Sequence, residues 1–323
     1  MHHSNALPTS SCIEEYQIVS VLGSGGFGIT YLAIDRGLDA HVAIKEYFPA
    51  TLAVRRPDQC SVSPAGDKGI YDWGLEKFLK EAETLASLPH PHIVGVKRLL
   101  RANQTAYMVL DYIDGPNLKQ WLATLDHRPN QDELDFIISR IGSALEAVHS
   151  RELLHRDISP RNIMLTNTGI PLLIDFGAVR QIVSERSQTL ACLLTPGYAP
   201  FEQYVATGQG QGPWTDIYAL SATIYEAIAG NPPPEAPDRA LSDTCVPAVD
   251  LGGDIYRKSF LEAVDWGLRP MPKDRPQNVA EWKTKLMGLE TLKPESLSSG
   301  IRKIYKALDW QRLSQLLLRS GPR

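Results

Sequence analysis

The chain has 323 residues, a length that suits about two domains. Its 33 basic and 37 acidic side chains leave a net charge of −4, near neutral, so nothing argues for a nucleic-acid or membrane surface. No apolar run is long enough to span a bilayer, and residues 1–11 carry no hydrophobic core of the signal-peptide kind. Cys12, Cys60, Cys192 and Cys245 show no C-x-x-C spacing, so the expected setting is a reducing cytoplasm without a zinc site.

In chain order, an apolar stretch at residues 16–22 runs into Gly23-Ser24-Gly25-Gly26-Phe27-Gly28 and then into a second apolar stretch at 29–34. Strand patterns on both sides make this a hairpin with a glycine flap, whereas a dinucleotide-binding turn needs a helix directly after its glycines. Val42-Ala43-Ile44-Lys45 ends another short strand on a lysine. Residues 46–73 hold Pro49, Pro57, Pro64, Gly66 and Gly69, so this insert is expected to be mostly loop. Leu75, Phe78, Leu79, Ala82, Leu85 and Ala86 recur at helical spacing and predict an amphipathic helix that carries Glu81 and Glu83.

Residues 106–111 read as a strand that breaks at Tyr112-Ile113-Asp114-Gly115-Pro116, a hinge. Leu134, Ile137, Ile138, Ile141, Leu145 and Val148 then keep helical period up to His155-Arg156-Asp157. Asn162 follows, and Asp175-Phe176-Gly177 comes a short strand later, so two carboxylates and an amide stand where a metal nucleotide can be held. Residues 215–229 are apolar on nearly all sides, as in a helix buried through a lobe. Asp216 at its start therefore needs partners, because a buried unpaired carboxylate is costly. Asn231-Pro232-Pro233-Pro234 stops that helix. A last helix is expected over 282–289, then a linker with Lys293-Pro294-Glu295-Ser296 and Ser298-Ser299-Gly300. Ile301, Ile304, Tyr305, Leu308, Leu313, Leu316 and Leu317 form a second apolar stripe beyond it, which needs a surface to cover it: the chain's own lobe, a second copy or a partner.

Taken together, residues 14–289 resemble a bacterial serine/threonine protein kinase of the eukaryotic-like type. The motifs that carry the resemblance are the glycine flap, the Val-Ala-Ile-Lys strand, the His-Arg-Asp loop with Asn162, Asp175-Phe176-Gly177, Thr195-Pro196-Gly197-Tyr198-Ala199-Pro200-Phe201-Glu202, Asp216 and Asp274-Arg275-Pro276, all in the expected order. The resemblance implies an α+β, bilobal fold. Its N-lobe, about 14–113, is a small mainly antiparallel β layer with one helix, and its C-lobe, about 114–289, is mainly helical. An extension at 1–13 precedes it and a tail at 290–323 follows.

By the same resemblance the cofactors are ATP and Mg²⁺, the substrates are proteins, and Lys45 orients the phosphates. Counting back from His90-Pro91-His92-Ile93-Val94 selects Glu81 to aim Lys45. Asp157 receives the proton of the acceptor hydroxyl, while Asn162 and Asp175 hold the metal. The nucleotide would contact Leu22, Gly23, Ser24, Gly25, Gly26, Phe27, Gly28, Thr30, Ala43, Lys45, Asp111, Ile113 and Met164. Leu110 is the gatekeeper, Asp216 bonds the catalytic-loop backbone, and Glu202 pairs with Arg275.

The chain departs from the family pattern at Ser159, where a lysine is usual, at Pro200-Phe201-Glu202, at Ser221, where a glycine is usual, and in the long insert. Phosphoryl transfer needs a cation near the transferring group, and Arg161 is the candidate surrogate. Thr195, which in serine/threonine kinases bonds the catalytic aspartate, argues for serine and threonine acceptors. Arg156 and Arg180 are expected to bind a phosphate on Ser184, Ser187 or Thr189. The rival reading is a pseudokinase scaffold that binds nucleotide or partners without transfer. A small-molecule phosphotransferase would lack the activation segment.

Overall fold

In the first lobe, side-chain alternation builds a sheet with two buried faces. β1 (Cys12–Ile13), β2 (Tyr16–Ser24), β3 (Gly28–Asp35), β4 (Ala40–Tyr47), β7 (Val96–Ala102) and β8 (Thr105–Asp111) form an antiparallel sheet in the order β1-β2-β3-β4-β8-β7. The computed structural model describes residues 5–26, 28–176, 194–205 and 210–288. Phe27, Gly177, Arg180, Ser184, Ser187, Thr189, Cys192 and the stripe from Ile301 onward lie outside these described residues.

Register decides which side chains share a face. Thr30, Lys45 and Met108 pair across β3, β4 and β8, so they point to one side; Tyr31, Ile44 and Val109, with Ile29, Glu46 and Tyr107, point to the other. Helix α1 (Lys68–Ala86) covers the Lys45 side, where Tyr47 meets the rings of Tyr71 at 5.2 Å and Phe78 at 5.7 Å. Phe78, Leu79, Ala82 and Leu85 form its buried stripe, each burial contributing about 1.5–3 kcal/mol for a large apolar side chain.

The insert is more ordered than its prolines and glycines suggest. It forms a hairpin, β5 (Ala53–Arg55) with β6 (Val62–Pro64), and α1 begins at Lys68. Ala53 and Val62 are buried, and Asp58 closes the turn by accepting from the Cys60 and Ser61 amides at 2.9 and 2.8 Å. Gly66, at φ +100°, turns the chain toward Asp67, whose carboxylate caps α1 by accepting from the Gly69 amide. The breakers thus sit at element ends and turns, where they do no damage.

The second lobe holds α2 (Leu118–Thr124), α3 (Gln131–His149), the small hairpin β9 (Ile163–Leu165) and β10 (Pro171–Leu173), α4 (Pro213–Ala229), α5 (Ala236–Leu241), α6 (Ala248–Gly252), α7 (Lys258–Gly267) and α8 (Val279–Leu286). A capping box between Asn130 and Glu133 starts α3. Every residue of α4 from Thr215 to Ile228 is buried, and Gly230, at φ +85°, ends it ahead of the prolines. Ser221 faces Gly267 of α7, whose absent Cβ would lie 2.0 Å from the serine Oγ. The side chain gained at one position is accommodated by the one missing opposite. Val94 and Leu173 link the lobes through the bonds from Val94 N–H to Leu173 O and from Leu173 N–H to His92 O. The architecture is the bilobal one that the motifs imply. No helix among the described residues is long and apolar enough to cross a membrane.

Candidate active site

From the floor of the cleft, α4 holds the loop at 155–162. Asp216, fully buried, accepts from the His155 N–H at 2.9 Å and His149 Nε2 at 2.8 Å through Oδ2, and from the Arg156 N–H at 2.8 Å through Oδ1. Burial pushes its pKa up, but the His149 hydrogen bond and the loop amides outweigh this and hold it below the ordinary carboxylate value. The same bonds hold Arg156 at φ +65°, a left-handed backbone that costs a non-glycine residue about 1–3 kcal/mol.

His155 ties this loop to the next. Its Nε2–H donates to the Ile174 carbonyl at 2.9 Å and its Nδ1 accepts from the Asp157 N–H at 3.3 Å, which fixes one neutral tautomer. Burial keeps its pKa below the usual imidazole value. Its ring meets Phe176 at 4.5 Å, so Asp175 is anchored to the 155–162 loop by its neighbours.

Asp157 is 9% exposed and gripped on both oxygens. Thr195 Oγ1 donates to Oδ1 at 2.9 Å, and Asn162 Nδ2 donates to Oδ2 at 2.8 Å and to the Asp157 carbonyl at 2.7 Å. Because Nδ2 is used inward, Asn162 Oδ1 remains as its side-chain acceptor. Lys45 Nζ pairs with Asp175 Oδ1 at 3.0 Å, and Asp175 itself adopts φ +58°. Glu81 is buried on the α1 stripe beside Ala82.

The glycine flap closes on itself through Gly25 N–H to Gly28 O at 3.0 Å, and Gly26 O accepts from the Ala50 N–H at 3.0 Å. A Cβ at Gly28 would lie 2.4 Å from Glu46 O, so only glycine fits. At Gly23 and Gly25 a Cβ would meet no described atom within 4 Å. Thr30 and Ala43 lie on the Lys45 face, Leu22 is exposed, and Met164 is half-buried in β9. Leu110 is buried; Asp111 donates its N–H to Gly95 O at 3.0 Å and pairs its carboxylate with Lys97 at 2.7 Å, with half-buried Ile113 two residues on.

Beside Thr195, Tyr198 donates to Glu226 of α4, which also takes Lys119. Burial and then Glu226 push the Tyr198 pKa up, while the charge of Arg161 opposes them. Arg161 is exposed and Ser159 is buried. Below, Arg275 grips Glu202 through Nη1 at 2.7 Å and Nη2 at 3.1 Å, and Thr215 Oγ1 adds a bond at 2.9 Å. Three supporting residues carry no sequence motif: His149 on Asp216, Gln203 donating to the Arg156 carbonyl at 2.8 Å, and Gln211 accepting from Arg156 Nε at 3.0 Å. Their partners are dozens of residues away, so no local signal reveals them.

With this geometry in place, comparison assigns the class. The family model described as the protein kinase domain matches residues 16–246, and the chain belongs to that family. It is 33% identical over 226 residues to serine/threonine-protein kinase PknB of Mycobacterium leprae (strain TN), covering 68% of this chain and 33% of that one. With PrkC of Bacillus subtilis (strain 168), a protein of the same description, it shares 32% over 219 residues, 68% of this chain and 31% of the other. The chain thus spans about a third of the length of these curated relatives. Among solved structures, the apo form of PpkA-294 matches at TM-score 0.77 and 37% identity, covering 87% of this chain and 99% of that one. The Mycobacterium tuberculosis PknI kinase domain matches at TM-score 0.63 and 25% identity, covering 88% and 100%.

Proposed function

We propose that residues 14–289 form a catalytic unit that transfers the terminal phosphoryl group of ATP to serine and threonine hydroxyls of proteins. The observation that carries this reading is the two-sided grip on Asp157, by Thr195 at 2.9 Å and Asn162 at 2.8 Å. A carboxylate so fixed is oriented to receive the proton of an acceptor hydroxyl, and Thr195 narrows the entrance beside it.

Adenine would lie between Leu22, Ala43 and Met164, with its edge read by the backbone of Ile113 and by the Asp111 carbonyl, since the Asp111 N–H is engaged by Gly95. Residues 23–28 would cover the phosphates, with Thr30 beneath. The open space beside Gly23 and Gly25 leaves room for phosphate to approach the backbone. Lys45 would bind the α- and β-phosphates with Glu81 aiming it. Asn162 Oδ1 and the Asp175 carboxylate are hard oxygen donors that fit Mg²⁺, which when bound neutralises charge on the phosphate oxygens. As the acceptor oxygen bonds to the γ-phosphorus, the bond to the β–γ bridging oxygen breaks, ADP leaves, and Asp157 holds the displaced proton. Arg161 is assigned the cation that Ser159 does not supply.

The scaffold alternative has no observation in its favour. A cytoplasmic setting is proposed from the cysteine pattern, and the stripe at 301–317 is assigned to cover the second lobe, with self-association or partner docking as alternatives. Incubation with labelled ATP, Mg²⁺ and a generic protein substrate tests the reading. Label should enter the substrate; nucleotide binding without any transfer would favour the scaffold.

A further inference from the structure

Glu46 follows Lys45 in β4, and strand alternation sends its side chain to the opposite face of the sheet. There it is fully buried, a position costly for a carboxylate without partners. Arg55 of the insert meets it bidentately, Nη1 to Oε1 at 2.8 Å and Nη2 to Oε2 at 2.6 Å. Tyr31 donates to Oε2 at 2.7 Å and Tyr107 to Oε1 at 3.0 Å. The other Arg55 N–H groups donate to the Cys60 carbonyl at 2.8 Å and to the Asn5 carbonyl at 2.9 and 2.7 Å. The Leu7 N–H closes the set on Tyr31 Oη at 3.1 Å. Burial by itself would lower the Arg55 pKa, but the Glu46 bond outweighs it and raises it, so the guanidinium stays charged.

Stability does not account for this arrangement, since a buried ion pair commonly contributes no more than apolar side chains of the same size. What it adds is a fixed point. Three adjacent strands and the insert converge on one carboxylate whose neighbour in the chain is Lys45, and residues 5–7 join through Arg55 and Tyr31. The Glu46 carbonyl is also the atom against which Gly28 packs, and the insert's Ala50 holds the flap through Gly26. Both elements assigned to the phosphates therefore flank Glu46.

We propose that Arg55 is a positioning residue for the phosphates of the nucleotide. By clamping Glu46 from behind the sheet it fixes the rotation of β4, and with it the direction of Lys45 and the height of the flap; residues 5–7 close the clamp. The proposal deepens the kinase reading and rests on it for the identity of the ligand.

The test measures affinity for a fluorescent ATP analogue, with kcat and KM for ATP, well below the melting temperature. Arg55→Ala should weaken nucleotide binding about tenfold or more, as misplaced groups do, and Arg55→Lys should restore part of the loss. KM for the protein substrate should change little. A folded Arg55→Ala protein with wild-type nucleotide affinity overturns the clamp. Should that variant fail to fold, Tyr31→Phe and a chain lacking residues 1–7 carry the test, and unchanged affinity in both overturns it. A wild-type protein that binds nucleotide yet transfers no phosphate contradicts the kinase reading instead, and the affinities still decide the clamp.

Discussion

Lys45, Asp157 and Asp175 occupy positions where a change of charge should show in rate before it shows in fold. Lys45→Met and Asp175→Asn each remove one preorganised electrostatic group, and each should lower phosphoryl transfer by at least about 100-fold with circular dichroism unchanged. Near wild-type turnover in either variant would sink the assignment. Arg161 is exposed and its charge opposes the upward push on the Tyr198 pKa; the cation role proposed for it has a kinetic signature. Arg161→Ala should reduce kcat while ATP affinity holds, the pattern of an interaction made in the transition state; equal kcat returns Arg161 to the surface. Acid sensitivity follows from His155. Its folded pKa is depressed, so below about 6.5 the unfolded chain binds a proton that the folded one refuses, and stability falls with pH. Partly buried His90 and His92 act in the same sense, and exposed His127 acts weakly in the other. The urea midpoint should be lower at pH 5 than at pH 7; a flat profile contradicts this account.

Elements show where sequence reading works and where it stops. The flap hairpin, the α1 stripe and the wholly apolar α4 were legible because period and composition agree with burial. The insert was not. Its prolines and glycines read as loop, while Arg55 of the hairpin meets Glu46 of the main sheet, a contact that no local pattern signals. Ser221 reads as a departure in isolation and makes sense only opposite Gly267. Gly267→Ala should therefore overpack that contact and destabilise the fold by about 1–3 kcal/mol. Adding Ser221→Gly should recover part of it in the same denaturation experiment, and no recovery would show that the contact is not the cause. Arg275→Ala strands the buried Glu202 carboxylate, at a cost of roughly 3–5 kcal/mol. A loss under 1 kcal/mol would mean that the surrounding groups, Thr215 among them, suffice.

For the whole molecule, the order of the motifs was enough to give two lobes and a shared cleft, because each motif marks an element with a fixed place in that architecture. Asp216 and the Glu202–Arg275 pair were readable supports of the site, whereas His149, and Arg55 in the clamp proposed above, reach partners set by tertiary folding alone. Acceptor chemistry is the part of the account that rests most heavily on geometry, through Thr195 and Asp157. The most direct test is phosphoamino-acid analysis of a protein substrate after incubation with labelled ATP and Mg²⁺, comparing wild type with Asp157→Asn. The account predicts phosphoserine and phosphothreonine with wild type and a loss of at least about 100-fold with the variant. Phosphotyrosine as the main product, or equal transfer by the two proteins, would contradict it.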